Sequence, residues 1–414
     1  MSSETTGKVP PPALFGFLTL PYGLVMNGIL GTVISFLLRA EGVGVPRISQ
    51  IVAIVGLPGM LYFLWSPLTD FWLKRKNWFV LSAALSAATL VAAFGMKDLG
   101  GTKAVVLLFV AAMFAMLTSA CLGGLMAAVV PEDRKTTFSS YYQAGSLCAG
   151  ALGGGGLLWL SQHAGWGRLR VALVAAFFIT VPAMMAWLID EPDVVAHLGG
   201  AASRAKAMGR EFAATFFSWR ALPALLLLAA PGGSGAAINL LGGLAKDYGV
   251  SADQVAWVNG LASAFLTAAG AMMVVLLPKR LDARIGYPAA GLVNAACLLV
   301  MVMGKLSPMT YVVGALLYMF SVGAAYALFT ALVLQVMGDA GASGGSRYAM
   351  LVSLGNLPVA YMAWVDGIGY KWWGPRGLPG IDMVVSGGIA ILFLVWFAFK
   401  GHGGESKSRL TVEG

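Results

Sequence analysis

Twelve stretches of this chain, most of them about 20 residues long and almost wholly apolar, follow one another with short polar breaks and a single long one. They run approximately Pro12–Leu38, Ile48–Trp65, Phe79–Phe94, Ala104–Val130, Tyr142–Leu160, Val171–Leu188, Leu222–Leu244, Val255–Leu277, Pro288–Met303, Tyr311–Val336, Tyr348–Trp364 and Met383–Phe399. About 20 apolar residues suffice for a helix to cross the hydrocarbon of a bilayer. In that solvent each backbone polar group needs a partner inside the protein. The expectation is therefore an all-α, polytopic membrane protein of twelve transmembrane helices. Composition agrees, with 58% hydrophobic residues, only 11% charged and a mean hydropathy of +0.80, whereas soluble domains carry about 25% charged residues.

Charge and cysteine usage narrow the class further. The formal charge of +9 comes from basic residues spread over short loops, without the stripe and interleaved aromatics of a nucleic-acid surface, so nucleic acid is not an expected partner. Cys121, Cys148 and Cys297 all lie inside apolar runs without ligand spacing; they read as packing residues, and no metal or cofactor is expected. The first apolar run is too long for a signal h-region and is expected to stay as the first span. With an even number of spans both termini share a side. The loops on that side carry the larger share of the 27 Lys and Arg, which places both termini in the cytoplasm.

The only long polar link, 190–220, separates six spans from six and has the spacing of an interfacial helix. It divides the chain into halves 1–189 and 221–414. Features recur between them: Pro21 with Pro231, Asn27 with Asn239, Asp70 with Asp282, and Tyr142 with Tyr348. Both first spans carry helix-breaking residues, Pro21, Gly23 and Gly28 in one and Pro231, Gly232, Gly233 and Gly235 in the other. Broken membrane helices expose backbone groups to a solute. Tyr22, Asn27, Gln143, Asn239, Tyr326 and Asn356 are accordingly the candidate substrate-binding residues. The competing reading is that such side chains bond across helices as structural glue. The small-residue run AGALGGGGLLWL (Ala149–Leu160) lacks the Lys-Ser/Thr of a phosphate loop; it reads as a packing seam between the halves.

The stretch GLPGMLYFLWSPLTDFWLKRK (Gly56–Lys76) is a membrane exit, an apolar helix ending in an acid and followed by a basic cluster. Asp70 and Arg75 have counterparts in Asp282 and Arg284 of the second half. All 18 acids read as lying at span ends or in loops, Asp366 and Asp382 among them, in the loop DGIGYKWWGPRGLPGID. A proton-driven carrier commonly relays through buried acids. The alternatives are therefore coupling through an end-of-helix acid such as Asp366 or Asp253, with protons as the ion, or uncoupled facilitation. No nucleophile, base or metal constellation for an enzyme can be assembled.

Ser66 to Lys76 resembles the loop motif of the major facilitator superfamily, with Ser66, Asp70 and the Lys74-Arg75-Lys76 run in place. Phe71 and Leu73 depart from it, and the second copy, Pro278–Gly286, keeps Asp282 and Arg284. The resemblance implies two pseudo-symmetric six-helix halves and alternating access, with Asp70, Arg75, Asp282 and Arg284 as the candidate gating residues and Asp70 holding the carrier open to the outside. Four stretches, Leu38–Asp70, Tyr141–Leu160, Ala245–Gly260 and Ser346–Asp366, resemble more specifically the AmpG-type muropeptide permease and acetyl-CoA transporter group. That implies movement of a bulky polar metabolite, muropeptide-like, across the inner membrane. A siderophore or other small-metabolite carrier is the alternative, and a non-transporting membrane sensor of the same fold a third reading. No basic residue reads as lying inside a cavity, which disfavours a polyanionic coenzyme.

Overall fold

The computed structural model describes residues 9–410 apart from 35, 36, 39, 40, 44, 71, 72, 158, 161–166, 192–205, 207–209, 211, 212, 214–221, 239, 240, 242, 243, 252, 253, 256, 279, 280 and 339–343. Among the described residues all regular structure is helical. Most of the link at 190–220, and Asn239 and Asp253, lie outside the described residues.

The helices used below are α1 (Pro12–Leu30), α2 (Val45–Leu61), α3 (Arg75–Phe94), α4 (Thr102–Val129), α5 (Lys135–Ala151), α6 (Arg168–Met184), α7 (Leu222–Leu228), α8 (Ser263–Met273), α9 (Ala283–Cys297), α10 (Pro308–Met337), α11 (Gly344–Trp373) and α12 (Gly377–Leu410). Eight described segments are long and apolar enough to cross a bilayer. The difference from twelve has local causes. Helix α7 ends after 7 residues, where the Pro-Gly segment begins. Helix α2 has 17 residues and then tightens into 3₁₀ turns at Tyr62–Leu64 and Ser66–Asp70. Helix α5 likewise has 17 residues before it widens into a π-helix over Leu152–Gly156. The last two apolar runs form one segment of 56 residues, far longer than one crossing needs at about 1.5 Å per residue.

The chain forms two compact units. One comprises Met1–Leu222 with Val333–Leu354, the other Pro223–Leu332 with Gly355–Gly414. In the first unit α3 packs on α4 and α6, and α1 on α5. Glycines set the α1–α5 approach. A methyl on Gly28 would fall 2.6 Å from the Gly153 backbone, and methyls on Gly23 and Gly145 would overlap the backbones of Ser146 and Gly16. The seam expected between halves therefore lies inside the first unit. Small residues are needed where two backbones come closest, and here that place is the α1–α5 contact. The backbone of α1 turns at Thr19, just before Pro21, but opens no irregular segment; it then widens into a π-helix over Gly23–Val33.

In the second unit α9 packs on α12, and the core gathers Leu241, Tyr248, Leu298, Met301, Tyr311 and Tyr318. Here the expected break is real. After α7 the chain runs irregularly through Pro231 to Ala237, with Gly233 at φ +83 and Gly235 at φ +69. Only glycine adopts such angles without strain.

Candidate functional site

Three arrangements carry the polar chemistry of this apolar molecule. The first is built around Asp70, 3% exposed at the end of the 3₁₀ turn after α2. Its Oδ1 accepts from the Gly345 N–H at 3.0 Å and from Arg75 Nε at 3.2 Å. Its Oδ2 accepts from the Ser346 N–H at 2.9 Å and the Ser346 hydroxyl at 2.7 Å. Asp70 thus caps the first turn of α11, the place where unsatisfied amides and the positive helix end favour an anion. Gly345 is required for that approach, because a methyl there would meet Thr69 Oγ1 and stand 3.2 Å from Asp70 Oδ1.

The other end of the same hairpin is held by a cation. Lys135, 5% exposed, donates from Nζ to the carbonyls of Leu334 at 3.1 Å and Gly338 at 3.4 Å, and pairs with Glu132 at 2.6 Å. Arg347 adds a bond to the Met337 carbonyl at 2.6 Å. The C-terminal carbonyls of α10 therefore meet positive charge, and the N-terminal amides of α11 meet negative charge. Both choices match the helix dipole. Arg75, 2% exposed, is the partner of Asp70, and its own helix is capped by Glu191, which accepts from the N–H groups of Arg75 at 3.0 Å and Lys76 at 3.2 Å.

The second arrangement is a pair of tyrosine clusters. In the first unit Tyr142 bonds Ser119 at 2.9 Å and pairs with the Tyr348 hydroxyl, with Tyr62 and Tyr22 close by. The Tyr62 hydroxyl, on a residue that is 0% exposed, has no hydrogen-bond partner. In the second unit the irregular segment is ringed by tyrosines. Tyr326 donates to the Ser234 carbonyl at 3.2 Å, Tyr361 to the Ala229 carbonyl at 2.9 Å, and the Tyr287 ring lies against Gly233.

The third arrangement corrects the reading that Asp366 and Asp382 lie in a loop. Asp366 lies within α11 and is 0% exposed; Asp382 lies within α12 and is 2% exposed. The Gly, Pro and charged residues of 366–382 interrupt hydropathy but scarcely interrupt helix. Only the 3₁₀ turn Gly374–Arg376, with Gly374 at φ +66, separates the two. Asp382 accepts from Ser386 at 2.6 Å and from Tyr318 at 3.4 Å. Neither carboxyl oxygen of Asp366 has a hydrogen-bond partner. Among the described residues no group of His, Cys, Asp and Glu could hold a metal ion.

Residues 15–357 match the sequence model of the Major Facilitator Superfamily. The chain belongs to this superfamily. Its fold agrees with solved facilitator structures. A single-residue variant of the Escherichia coli fucose:proton symporter FucP aligns at TM-score 0.66 and 15% identity over 92% of this chain and 98% of that one. The proton:xylose symporter XylE, bound to 6-bromo-6-deoxy-D-glucose, aligns at 0.68 and 12% over 93% of each chain. The human organic anion transporter MFSD10 aligns at 0.59 and 16% over 93% and 99%. No curated protein matches the sequence. Membership makes the protein a carrier rather than an enzyme.

In this facilitator the residues singled out in the sequence fall in different places. Asn27 is exposed and donates from Nδ2 to Ser146 Oγ at 3.2 Å across the α1–α5 seam. Tyr22 joins the first tyrosine cluster, and Gln143 and Asn356 are partly buried on α5 and α11. Tyr326 reaches the irregular segment. Asp282 caps its own helix α9 by accepting from the Arg284 N–H at 2.9 Å, whereas Asp70 reaches α11. The pair related by repeat therefore makes different contacts. Lys135, Glu191, Ser346 and Tyr62 were missed, because their partners are 100 or more residues away in sequence or, for Tyr62, its role rests on burial alone.

Proposed function

We propose that this facilitator is a secondary transporter of a small, weakly charged polar solute, sugar-like in its hydrogen-bonding, working by alternating access between two six-helix halves with twelve spans in all. The observation that carries the reading is the character of the buried polar surface. Each unit has its own tyrosine cluster, and one of these adjoins the irregular segment after α7. Aromatic walls with a few placed hydroxyls suit a ring-shaped polyol. The only Lys and Arg buried among the described residues are Lys135 and Arg75, and both are committed to the hairpin ends. A polyanion would want such groups for itself. The substrates named for FucP and XylE, fucose and xylose, support the same class, so the comparisons favour a small metabolite over the muropeptide-like cargo. The bulkier cargo stays as a second reading on the four stretches that resemble the AmpG-type group.

Within this reading Tyr22, Asn27, Gln143, Asn239, Tyr326 and Asn356 contribute to solute contact, and Asp70 with Arg75 forms the gate. The gate would hold the hairpin ends at residues 333–354 while the carrier is open to the outside and release them as it opens inward, in a multi-pass inner membrane protein with cytoplasmic termini. Asp282 and Arg284 would act only on their own helix. Thermal-shift measurements on purified protein test the substrate class. Monosaccharides should raise the Tm, with coenzyme A thioesters inert. Stabilisation by the thioesters alone would overturn the reading, and stabilisation by muropeptides alone would select the second.

A further inference from the structure

We infer that Asp366 and Asp382 form a proton site within the second unit, with the proton on Asp366 and the charge on Asp382, and that its occupancy sets the geometry of the irregular segment after α7. The proposal deepens the carrier reading by naming its coupling residues.

The two carboxyls lie within reach of one another's charge, yet their surroundings differ sharply. Asp382 is supplied with donors from three elements: the Ser386 hydroxyl one turn along α12, the Tyr318 hydroxyl from α10, and the Ala237 backbone N–H from the irregular segment. Such donors stabilise an anion. Asp366 has none on either oxygen, although it is fully buried. Two neighbouring anions in an apolar interior, one of them without a single donor, is the arrangement that burial penalises most heavily. A proton on Asp366 removes that penalty and leaves Asp382 as the one charge its donors can satisfy. The remaining titratable groups near the pair are tyrosines, Tyr318 and beyond it Tyr326. Helix α9 contributes Asn294, which donates to Ser321 Oγ at 2.9 Å and is neutral. No Lys or Arg is among the buried residues described in this unit, so no protein cation competes for the site.

The link to the irregular segment is geometric. Residues 382, 386 and 390 recur at four-residue spacing and so share one face of α12. Gly232 lies on that face, where a methyl would stand 3.4 Å from Ala390 Cβ and 3.5 Å from the Ser386 carbonyl. Ala237 lies on it through its N–H. The two glycines with left-handed backbone, Gly233 and Gly235, fall between these two anchors. Loss of the proton from Asp366 would place a second charge beside Asp382, and the segment holding Ala237 is the neighbour able to move in response.

Infrared difference spectroscopy across a pH step, on the full-length protein reconstituted in choline buffer, reads the site without any solute. A protonated-carboxyl C=O band is expected in the wild type, lost in Asp366→Asn and kept in the control Asp282→Asn. Absence of the band in the wild type, its survival in Asp366→Asn, or its removal by added sodium at constant pH would overturn the proton assignment, and the wild-type spectrum serves even if the variant fails to assemble. For the second clause, Ser234→Cys is labelled with maleimide and its rate divided by that of the exposed native Cys148. The ratio should change with pH when Asp366 is present and stay flat in Asp366→Asn; a pH dependence that persists would contradict the link. Neither readout involves transport, so both stand apart from the fate of the carrier reading.

Discussion

Asp70 and Ser346 are separated by 276 residues in sequence, yet one carboxylate oxygen of Asp70 accepts both the N–H and the hydroxyl of Ser346, at 2.9 and 2.7 Å. The other oxygen serves Gly345 and Arg75. Four donors converge on one buried acid. Asp70→Asn keeps the shape but removes the charge and turns part of the group into a donor facing donors. The variant should shift the balance between outward-open and inward-open forms toward the latter by about 1–3 kcal/mol, roughly 5- to 150-fold. Gly345→Ala should mimic it, since its methyl would collide with Thr69 Oγ1. Distances between spin labels on the two faces measure the shift, and unchanged populations in both variants would contradict the gate.

Lys135 holds the other end of the same hairpin, and Lys135→Met should weaken that hold by up to about 2 kcal/mol, the scale for a partly buried cation at a helix C-terminus. Because Asp70 and Lys135 restrain one element, their effects should not add. A double-mutant cycle on the same populations should give a coupling of at least about 0.5 kcal/mol, while strict additivity would show that the two ends act separately.

Tyr62 provides a test of the solute surface. Its hydroxyl is buried without a partner, an arrangement that destabilises a resting protein by about 1–3 kcal/mol. Tyr62→Phe should therefore raise or preserve the Tm while lowering solute uptake. A fall in Tm with normal uptake would remove Tyr62 from the solute surface. Asn27→Ala should likewise reduce uptake at normal membrane abundance, and full uptake would leave Asn27 as a seam residue bonded to Ser146.

The α1–α5 seam should be intolerant of bulk. Gly28→Val forces side-chain atoms into the Gly153 backbone, and overpacking of this kind destabilises by about 1–3 kcal/mol. Thermal unfolding in detergent checks it; Gly56→Val, at a position with open space around it, should leave Tm nearly unchanged.

The class of fold was legible in the sequence because bilayer crossing requires long apolar runs, and Pro231 to Gly235 announced a break that the backbone makes. The same cue gave less at Pro21, Gly23 and Gly28, where the helix only turns at Thr19 before widening, and glycine serves a close helix contact. Hydropathy also misplaced Asp366 and Asp382, since a window average cannot distinguish a polar loop from a helix that buries a few polar groups. Asp70 was legible through its motif. Its partners at Gly345 and Ser346, and the opposing Lys135, were not, because capping between distant helices leaves no local pattern.

Cys121 provides a native reporter for the gate. It is 0% exposed on α4 and in contact with Thr69 beside Asp70. With Cys148 and Cys297 replaced by Ser, its rate of labelling by a membrane-impermeant maleimide applied from the cytoplasmic face should be slow in the otherwise native protein. It should rise roughly 5- to 150-fold in Asp70→Asn, in proportion to the inward-open population. Equal rates in the two proteins would contradict the account and leave Asp70 as a structural cap that no transport step releases.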